Sequence, residues 1–353
     1  MKAHAKLTKK KKIVISVIAV ILAIVIALVT VWMVPAKGDV STDYWHSKME
    51  YTNDYAITIE KDPNKDFKIL AISDVQFNDA LDFFGLVGTA YDTMDNLVEK
   101  EKPDLIVVMG DSVWAKFTKV SVLQFVKYMD SLGIPWAPIN GNHDGEGVVD
   151  FNWVADQFAK SKTCLFKKGP NNIGGVGNFV INIMENGKIY KSLIMMDSHA
   201  SRYYEDIKEN KYDFIYDGQM DWYRWLINGM TEFNGGEKVD SMLFIHIPLN
   251  EYADAYKYWE STGFDPAIGF GEKNEEPGAG YVNSGMFDVI KELDSTKYVF
   301  AAHDHVNNYS VDYQGVRLTY TLKTGDRCYA KEGLNGGTRI VLGDDVKIEH
   351  IYV

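Results

Sequence analysis

The tetrapeptide Gly141-Asn142-His143-Asp144 lies one residue beyond the apolar run Ile134-Pro135-Trp136-Ala137-Pro138-Ile139. A short run that is apolar throughout predicts a β-strand buried on both faces. The tetrapeptide then brings an amide, an imidazole and a carboxylate to the turn that follows this strand. Gly, Asn and Asp are also common in ordinary turns, so the stretch alone supports either a turn or a chemical site.

Two earlier strands are predicted to end in the same way. The chain places Asp74-Val75-Gln76 after the apolar run 67–73, and Gly110-Asp111 after the apolar run 105–109. Helical spacing over 86–100 and 120–132 separates the three strands. Strands that alternate with helices predict a parallel α/β sheet, and such sheets bind ligands at the carboxyl ends of their strands.

The second half of the chain shows the same arrangement. Apolar runs at 178–184 and 190–196, split by Glu185-Asn186-Gly187-Lys188, predict a β-hairpin. Helices are predicted near 151–159, at 219–230 and at 282–293, and short strands from 307 to 353. Two more strands end at ligand-type residues, which are His246 after 241–245 and His303-Asp304-His305 after 297–302.

The polar residues at these five strand ends are of the types that bind divalent metal ions. A carboxylate shared between two ions can hold them about 3.5–4 Å apart, and imidazole and amide groups complete such sites. The sequence therefore predicts a metal-dependent site. Its candidate residues are Asp74, Gln76, Asp111, Asn142, His143, Asp144, His246, His303 and His305.

In this order the five motifs resemble those of the calcineurin-like metallophosphoesterases, whose pattern is Asp-x-His, Gly-Asp, Gly-Asn-His-Asp/Glu, His and Gly-His-x-His. The resemblance covers about residues 66–350. The stretches His246-Ile247-Pro248-Leu249 and Val282-Asn283-Ser284-Gly285 look like the branch with small plant purple-acid-phosphatase-like proteins and their yeast relatives. The resemblance implies an α/β fold, a four-layer α/β/β/α sandwich whose two sheets present two divalent metal ions at one edge.

The resemblance also implies a role for each site residue. Asp111 would bridge the two ions, and Asp74 and His305 would complete one site, with Gln76 where the family has a histidine. The other site would be held by Asn142, His246 and His303. His143 would be a proton donor near the leaving oxygen and no ligand, and Asp144 would orient it.

Gln76 is the main departure from the family pattern. An amide oxygen is a harder and weaker ligand than an imidazole, which favours Mn²⁺ or Mg²⁺ over Zn²⁺ or iron. Manganese-dependent ADP-ribose and CDP-alcohol diphosphatases look similar at this motif. Direct ligation and a hydrogen bond to metal-bound water are both open for Gln76. Trp114 falls near the metal-binding tyrosine of purple acid phosphatases, which argues against an iron–tyrosinate centre.

The N-terminus predicts a membrane anchor. Four lysines at 9–12 precede 22 uncharged residues, 13–34, which are enough to cross a bilayer. The run is longer than the apolar region of a signal peptide, although Val34-Pro35-Ala36 keeps cleavage open. The positive-inside rule places residues 1–12 in the cytoplasm and the remainder outside. We therefore expect a basic tail (1–12), a signal anchor (13–34), a stalk (35–64) and a catalytic domain (65–353) on a single-pass protein of the cell membrane.

Charge and cysteine content limit the partners. Residues 1–36 hold six of the 37 basic residues and none of the 49 acidic ones, so the remainder carries a net charge of −18. Such a surface repels nucleic acid and anionic lipid headgroups, and metal ions would have to attract an anionic substrate. Cys164 and Cys328 permit one disulfide or two free thiols.

The expected activity is hydrolysis of a phosphate monoester of a small anionic substrate. A hydroxide held between the two metal ions would attack phosphorus in line, and His143 would protonate the leaving oxygen. One alternative is a phosphodiesterase or diphosphatase acting on nucleotide-linked or lipid-linked substrates, and another is a catalytically dead binding module on the cell surface. The aromatic residues at 252, 256, 258, 259 and 264 permit either a lid over the metals or a satellite core.

Overall fold

Two β-sheets pack face to face between two layers of helices. The computed structural model describes residues 8–78 and 90–353. Buried side chains from both sheets form the central core, with Phe179, Leu193 and Phe244 from one sheet and Ile69 and Val107 from the other. The predicted four-layer α/β/β/α sandwich is thereby confirmed.

The smaller sheet contains the first three predicted strands. Its strands, in spatial order, are β15 (Val346–Tyr352), β14 (Gly336–Leu342), β2 (Phe67–Ile72), β3 (Leu105–Val108) and β4 (Trp136–Pro138). β2, β3 and β4 are parallel, as predicted. The C-terminal hairpin β14–β15 pairs antiparallel with β2, so the last strands of the chain complete the first sheet.

The larger sheet has eight strands. In spatial order they are β1 (Ile57–Glu60), β5 (Phe179–Glu185), β6 (Lys188–Met195), β9 (Ser241–Phe244), β11 (Thr296–Ala301), β13 (Val316–Tyr320), β12 (Ser310–Tyr313) and β10 (Gly269–Phe270). β6, β9, β11 and β13 are parallel, and the predicted hairpin β5–β6 is present. A separate hairpin joins β7 (Ser201–Tyr204) to β8 (Glu209–Tyr212).

Helices cover the outer face of each sheet. The helices beside the smaller sheet are α2 (Ala90–Glu101), α3 (Thr118–Ser131) and α4 (Phe151–Phe158), and those beside the larger sheet are α5 (Asp217–Phe233), α6 (Glu251–Ser261) and α7 (Met286–Leu293). Residues 86–89 of the predicted 86–100 helix lie outside the described residues. The predicted 282–293 helix begins later, because Gly285 adopts a left-handed φ of 78° at its N-cap.

The N-terminal helix α1 (Lys9–Met33) projects from the fold. Its 25 residues are long and apolar enough to cross a membrane, and its most apolar stretch makes no buried contact with the rest of the protein. At 1.5 Å per residue the helix is about 37 Å long, which exceeds a hydrocarbon core of about 30 Å.

Residues 35–64 are folded onto the domain, so the prediction of a stalk over this range is wrong. Ile57 to Glu60 form β1, which pairs parallel with β5, and alternate residues of β1 are half-buried. Trp45 is buried, and its backbone N–H donates to Asn172. The segment lacks one sustained period because it crosses the domain surface as an irregular strap before it joins the sheet.

The aromatic segment after His246 is divided between core and surface, because Tyr258 and Phe264 are each 43% exposed. Tyr252 and Trp259 on α6 are buried, and Tyr252 packs against Tyr309 and Tyr320. These contacts fill the space between α6 and the larger sheet. Neither cysteine is bridged in the structure, since Cys164 and Cys328 are both free.

Candidate metal centre

The carboxyl ends of strands from both sheets meet at one edge of the sandwich. Each of β2, β3, β4, β9 and β11 ends within a few residues of a candidate site residue. Backbone hydrogen bonds join the loops, with Asp74 N–H donating to Gly110, Gln76 N–H to Asp111 and Ala302 N–H to His246. The two sheets therefore hold one continuous set of loops.

The backbone of these loops is strained at the site itself. Four candidate residues adopt a left-handed φ: Asp74 (47°), Gln76 (49°), Asp111 (48°) and His303 (73°). Such conformations cost about 1–3 kcal/mol each in non-glycine residues and cluster at functional sites. Gly141 allows the loops to approach, because a Cβ there would lie 2.2 Å from the Asp111 backbone nitrogen.

Metal-binding atoms from both sheets converge within this edge. Nε2 of His246 lies 3.1 Å from Oδ1 of Asn142 and 3.5 Å from Oδ2 of Asp111. Nε2 of His305 lies 3.3 Å from Oδ1 of Asp74. The His246 and His303 rings are 5.2 Å apart, centroid to centroid. The structure thus brings six of the seven predicted ligands together at this edge, namely Asp74, Asp111, Asn142, His246, His303 and His305.

Two histidines are oriented as metal ligands usually are. Nδ1 of His246 donates to the Met109 carbonyl at 2.8 Å, and Nδ1 of His305 donates to the Tyr329 carbonyl at 2.9 Å. Each carbonyl fixes the proton on Nδ1, so Nε2 is the nitrogen that each ring presents to the site. A backbone carbonyl behind a ligating imidazole is the usual arrangement in metalloproteins.

The chemistry of the donor set fits divalent cations. Oδ1 of Asp74 is buried and accepts no hydrogen bond from the described residues. Ligand atoms of Asp74, Asp111 and His246 lie within 4.8 Å of one another. Two buried carboxylates beside imidazole nitrogens are costly without a cation to neutralise them, and a divalent ion would remove that cost.

The pKa shifts of the buried site residues also fit a divalent cation. Burial by itself would lower the pKa of His246, but the carboxylates of Asp111 and Asp74 raise it to about 10. Burial, followed by the charge on His246, lowers the pKa of His303 to about 3. Although burial opposes it, His305 and His246 hold the pKa of Asp74 well below its usual range. A divalent ion would displace the proton that His246 otherwise holds between the carboxylates.

Gln76 lies at the site, but its amide oxygen faces a lysine. Nζ of Lys323 donates to Oε1 of Gln76 at 2.8 Å and to the Asp74 carbonyl at 3.0 Å. This contact leaves the amide nitrogen of Gln76 facing Nε2 of His305, 3.2 Å away. Lys323 is buried, and sequence reasoning missed it because it follows a strand with no metal-binding motif.

His143 is the most exposed of the candidate residues, and its ring faces Glu146 rather than Asp144. Nδ1 of His143 lies 2.9 Å from Oε1 of Glu146, and its Nε2 lies 3.9 Å from Oδ2 of Asp111. The prediction that Asp144 orients the ring is wrong. The turn at 141–144 buries the Asp144 carboxylate, which accepts from the backbone N–H groups of Gly141 and Ser112.

Further side chains that the motifs did not reveal surround the ligands. Tyr329 stacks on His305, and Tyr212 of β8 meets His303 edge-on at 4.4 Å between ring centroids. Asp304 accepts from the Tyr320 hydroxyl and the Gly278 N–H, which fixes the loop between the two histidines. No spacing in the sequence connects these distant residues with the site.

A cavity of about 350 Å³ opens beside His143. Its lining includes Trp114, Lys116, Thr118, His143, Glu146 and Gly147. Trp114 is 44% exposed and Lys116 is exposed. The cavity lies on the side of the site that carries His143, and none of the predicted metal ligands is among its lining residues.

Comparisons with known proteins agree with the phosphoesterase resemblance of the sequence motifs. The profile of the calcineurin-like phosphoesterase family matches residues 67–307. The Arabidopsis thaliana protein "Probable inactive purple acid phosphatase 14" is 28% identical over 269 residues, which cover 70% of this chain and 65% of that protein. "Phosphatase DCR2" of Saccharomyces cerevisiae is 29% identical over 61% of this chain and 38% of its own length. This chain therefore spans less than two thirds of each of these relatives.

The fold is also that of a solved dimetal phosphatase. The crystal structure of a dimetal phosphatase from Danio rerio has a TM-score of 0.53 with this protein, at 11% identity, and the match covers 82% of this chain and 96% of that one. At this identity the likeness concerns the fold alone. Taken with the profile match over most of the chain, the converging ligands identify the chain as a member of the calcineurin-like phosphoesterase family.

Proposed function

We propose that the protein is a membrane-anchored phosphoesterase that hydrolyses a phosphate monoester outside the cell with two divalent metal ions. The convergence of carboxylate, amide and imidazole groups around Oδ1 of Asp74 carries this proposal. This buried oxygen accepts no hydrogen bond from the described residues and lies 3.3 Å from Nε2 of His305. Asp111 lies centrally and would contact both ions. Asp74 and His305 would complete one position, and Asn142, His246 and His303 the other.

The metal ions would supply Lewis acidity and activate water for attack on phosphorus. The protein supplies the remaining steps. His143 has its Nε2 directed towards the Asp111 side of the site, where it can donate a proton to the leaving oxygen. Oε1 of Glu146 lies 2.9 Å from Nδ1 and would hold the ring in this orientation. The cavity beside His143 would receive the leaving group.

For Gln76 we propose a hydrogen-bonding role. Lys323 donates to Oε1 of Gln76, which is the only acceptor atom of that side chain. The metal position beside Gln76 would then be held mainly by the carboxylate oxygens of Asp74 and Asp111. Oxygen ligands favour Mn²⁺ or Mg²⁺ over Zn²⁺ or iron.

The metal preference can be tested by replacing Gln76 and Lys323 together. Gln76→His places an imidazole beside an ammonium group, which disfavours ligation, whereas Gln76→His with Lys323→Met frees the new imidazole for the metal. We expect the double variant to bind Zn²⁺ roughly tenfold or more tightly than the single variant, measured by isothermal titration of the metal-free protein. Lys167→Met is the matched control, because that lysine also donates to backbone carbonyls, those of Asp54, Tyr55 and Ala56, away from the site. Equal zinc affinities in the two variants would contradict the role given to Lys323.

The anchoring part of the proposal rests on α1 and on the lysines at positions 9–12. A helix of this length and apolarity, preceded by positive charge, favours a cytoplasmic N-terminus and an external domain. The membrane would be the cell membrane, crossed once.

A phosphodiesterase or diphosphatase is the second candidate. The cavity of about 350 Å³ is larger than a phosphate group requires, and the exposed Trp114 and Lys116 suit an aromatic or anionic group beyond the scissile phosphate. Rates on mono-aryl and bis-aryl phosphates, measured with added Mn²⁺, separate the two activities. We expect the mono-aryl ester to be hydrolysed at least about tenfold faster, since two divalent ions would match the double negative charge of its phosphate group. A preference for the bis-aryl ester would favour the second candidate.

A catalytically dead binding module is the remaining alternative, because the name of the Arabidopsis relative includes the word inactive. In this protein the ligand set is nearly complete, which argues for retained metal binding. Metal analysis of the purified full chain is decisive between the classes. Close to two ions per chain together with turnover of an aryl phosphate supports the enzyme, and metal without turnover supports the binding module.

A further inference from the structure

The catalytic cavity lies next to the point where the membrane helix joins the domain. α1 ends at Met33, and the carbonyl of the next residue, Val34, accepts from Nζ of Lys119. Ala36 N–H donates to the Val148 carbonyl at 2.7 Å, and Gly38 N–H donates to Asp150 at 2.9 Å. The chain is thus attached to the domain within three residues of the helix end.

The start of α3 and the loop at 147–150, which hold this part of the chain, also contribute to the cavity wall. Lys119 follows Thr118, and Val148 follows Gly147, and both Thr118 and Gly147 line the cavity beside His143. Three extended residues span at most about 10 Å, so the cavity wall lies close to the headgroup layer of the membrane that α1 would cross. No long stalk separates the domain from that membrane.

The exposed side chains in this region include aromatic and basic groups as well as the acidic Asp39 and Glu146. Trp32 at the helix end and Trp114 at the cavity are 37% and 44% exposed. Two lysines close in sequence to these tryptophans are also exposed, Lys37 five residues after Trp32 and Lys116 two residues after Trp114. Tryptophan and lysine are the residues that membrane interfaces favour. Lys37 and Lys116 place positive charge near the carboxylate of Glu146, in a domain whose net charge would otherwise repel anionic lipids.

We propose that the substrate is a lipid phosphate, held in the bilayer that α1 crosses, whose phosphorylated headgroup enters the cavity past Trp114 and Lys116. This inference rests on the proposed function and specifies its substrate class. The cavity lies on the His143 side of the site, which is the side of the leaving group. The lipid part of the substrate would therefore stay towards the membrane while its phosphate reaches the metal ligands.

The reaction balances as a simple hydrolysis. Water adds to phosphorus, the bond from phosphorus to the lipid oxygen breaks, and His143 gives that oxygen its proton. The products are the lipid alcohol, which remains in the bilayer, and inorganic phosphate, which leaves to the aqueous side.

The test changes the distance between membrane and domain without touching the site. The full chain is placed in phosphatidylcholine vesicles that contain dioleoyl phosphatidate, with Mn²⁺ added. One variant carries a proline-rich spacer of about twelve residues between Met33 and Val34, which holds the domain roughly 37 Å further out. A flexible Gly/Ser spacer of equal length, with an average span of about 19 Å, is the matched control.

We expect the proline-rich spacer to lower phosphate release from phosphatidate by at least about tenfold, through the lower effective concentration of the headgroup, and the Gly/Ser spacer to lower it less. Hydrolysis of soluble p-nitrophenyl phosphate should stay within about twofold in all three proteins, since the insertion lies outside the domain. Unchanged phosphatidate hydrolysis with the rigid spacer overturns the inference, as does turnover of the aryl phosphate alone. If neither substrate is hydrolysed by the unmodified chain, the proposed function itself fails.

Discussion

Asp111→Asn lowers kcat on p-nitrophenyl phosphate by roughly 10³-fold or more, because it removes the one negative charge that both metal positions would share. Asparagine has the same size as aspartate and keeps a side-chain oxygen. That oxygen can still accept from the backbone N–H of His143, which donates to Oδ1 of Asp111 at 2.9 Å. The loop geometry should therefore survive. Stopped assays with Mn²⁺ give the rate, and metal analysis of the same sample gives the number of bound ions.

Asp130→Asn is the control for this substitution. Asp130 accepts hydrogen bonds from Ser161 and Thr163 and holds a surface loop. The loss of the charge at Asp130 should weaken these bonds and lower the melting temperature while leaving kcat within about twofold, since hydrogen bonds to a charged acceptor are stronger than those to a neutral one. For Asp111→Asn the opposite pattern is expected, with a near-normal melting temperature and little activity. A wild-type rate in Asp111→Asn would remove Asp111 from the mechanism.

The strand ends could be predicted because they depend on local pattern. Apolar runs of strand length precede Asp74, Asp111 and His246, and the carboxyl ends of such strands meet at one edge of the sheet. The order of the motifs along the chain then sufficed to group their residues into one site. The structure brings the predicted ligands together at that edge, although β2, β3 and β4 lie in one sheet and β9 and β11 in the other.

Contacts between distant parts of the chain could not be predicted. Lys323 and Gln76 are 247 residues apart, and no motif links them. The C-terminal hairpin β14–β15 has the alternating pattern of any exposed strand pair, and nothing in that pattern indicates that it pairs with β2. The strap at 35–60 was missed for the same reason, because polar residues that bind the domain surface resemble those of a free linker.

The acidic residue beside His143 could not be predicted from the order of residues in the sequence. Asp144 is adjacent in sequence, and Glu146 lies three residues away from His143. The turn at 141–144 directs the Asp144 carboxylate to three backbone N–H groups, those of Gly141, Ser112 and Val113. Burial and the charge of Asp111 raise the pKa of Asp144 to about 7, so this carboxyl group is only partly ionised at neutral pH. Turn geometry, rather than residue type, determines which acid meets the imidazole.

His143→Ala lowers kcat on an alkyl phosphate by roughly 10²–10⁴-fold, the usual contribution of a general acid. An alkoxide is a poor leaving group and needs the proton that His143 would donate. A nitrophenolate leaves without one, so the loss on p-nitrophenyl phosphate should be less than about tenfold. Rates on a series of aryl and alkyl phosphates with rising leaving-group pKa measure this difference directly.

The shape of that series distinguishes proton donation from binding. In the wild type the rate should depend weakly on the leaving group, and in His143→Ala it should fall steeply as the leaving-group pKa rises. Glu146→Gln should give the same trend at smaller amplitude, because the loss of the carboxylate beside Nδ1 loosens the orientation of the ring without removing it. Asp111→Asn should lose activity equally across the series, since it acts on every substrate alike. An equal loss across the series in His143→Ala would place His143 in substrate binding, and the proton for the leaving oxygen would then have to come from solvent.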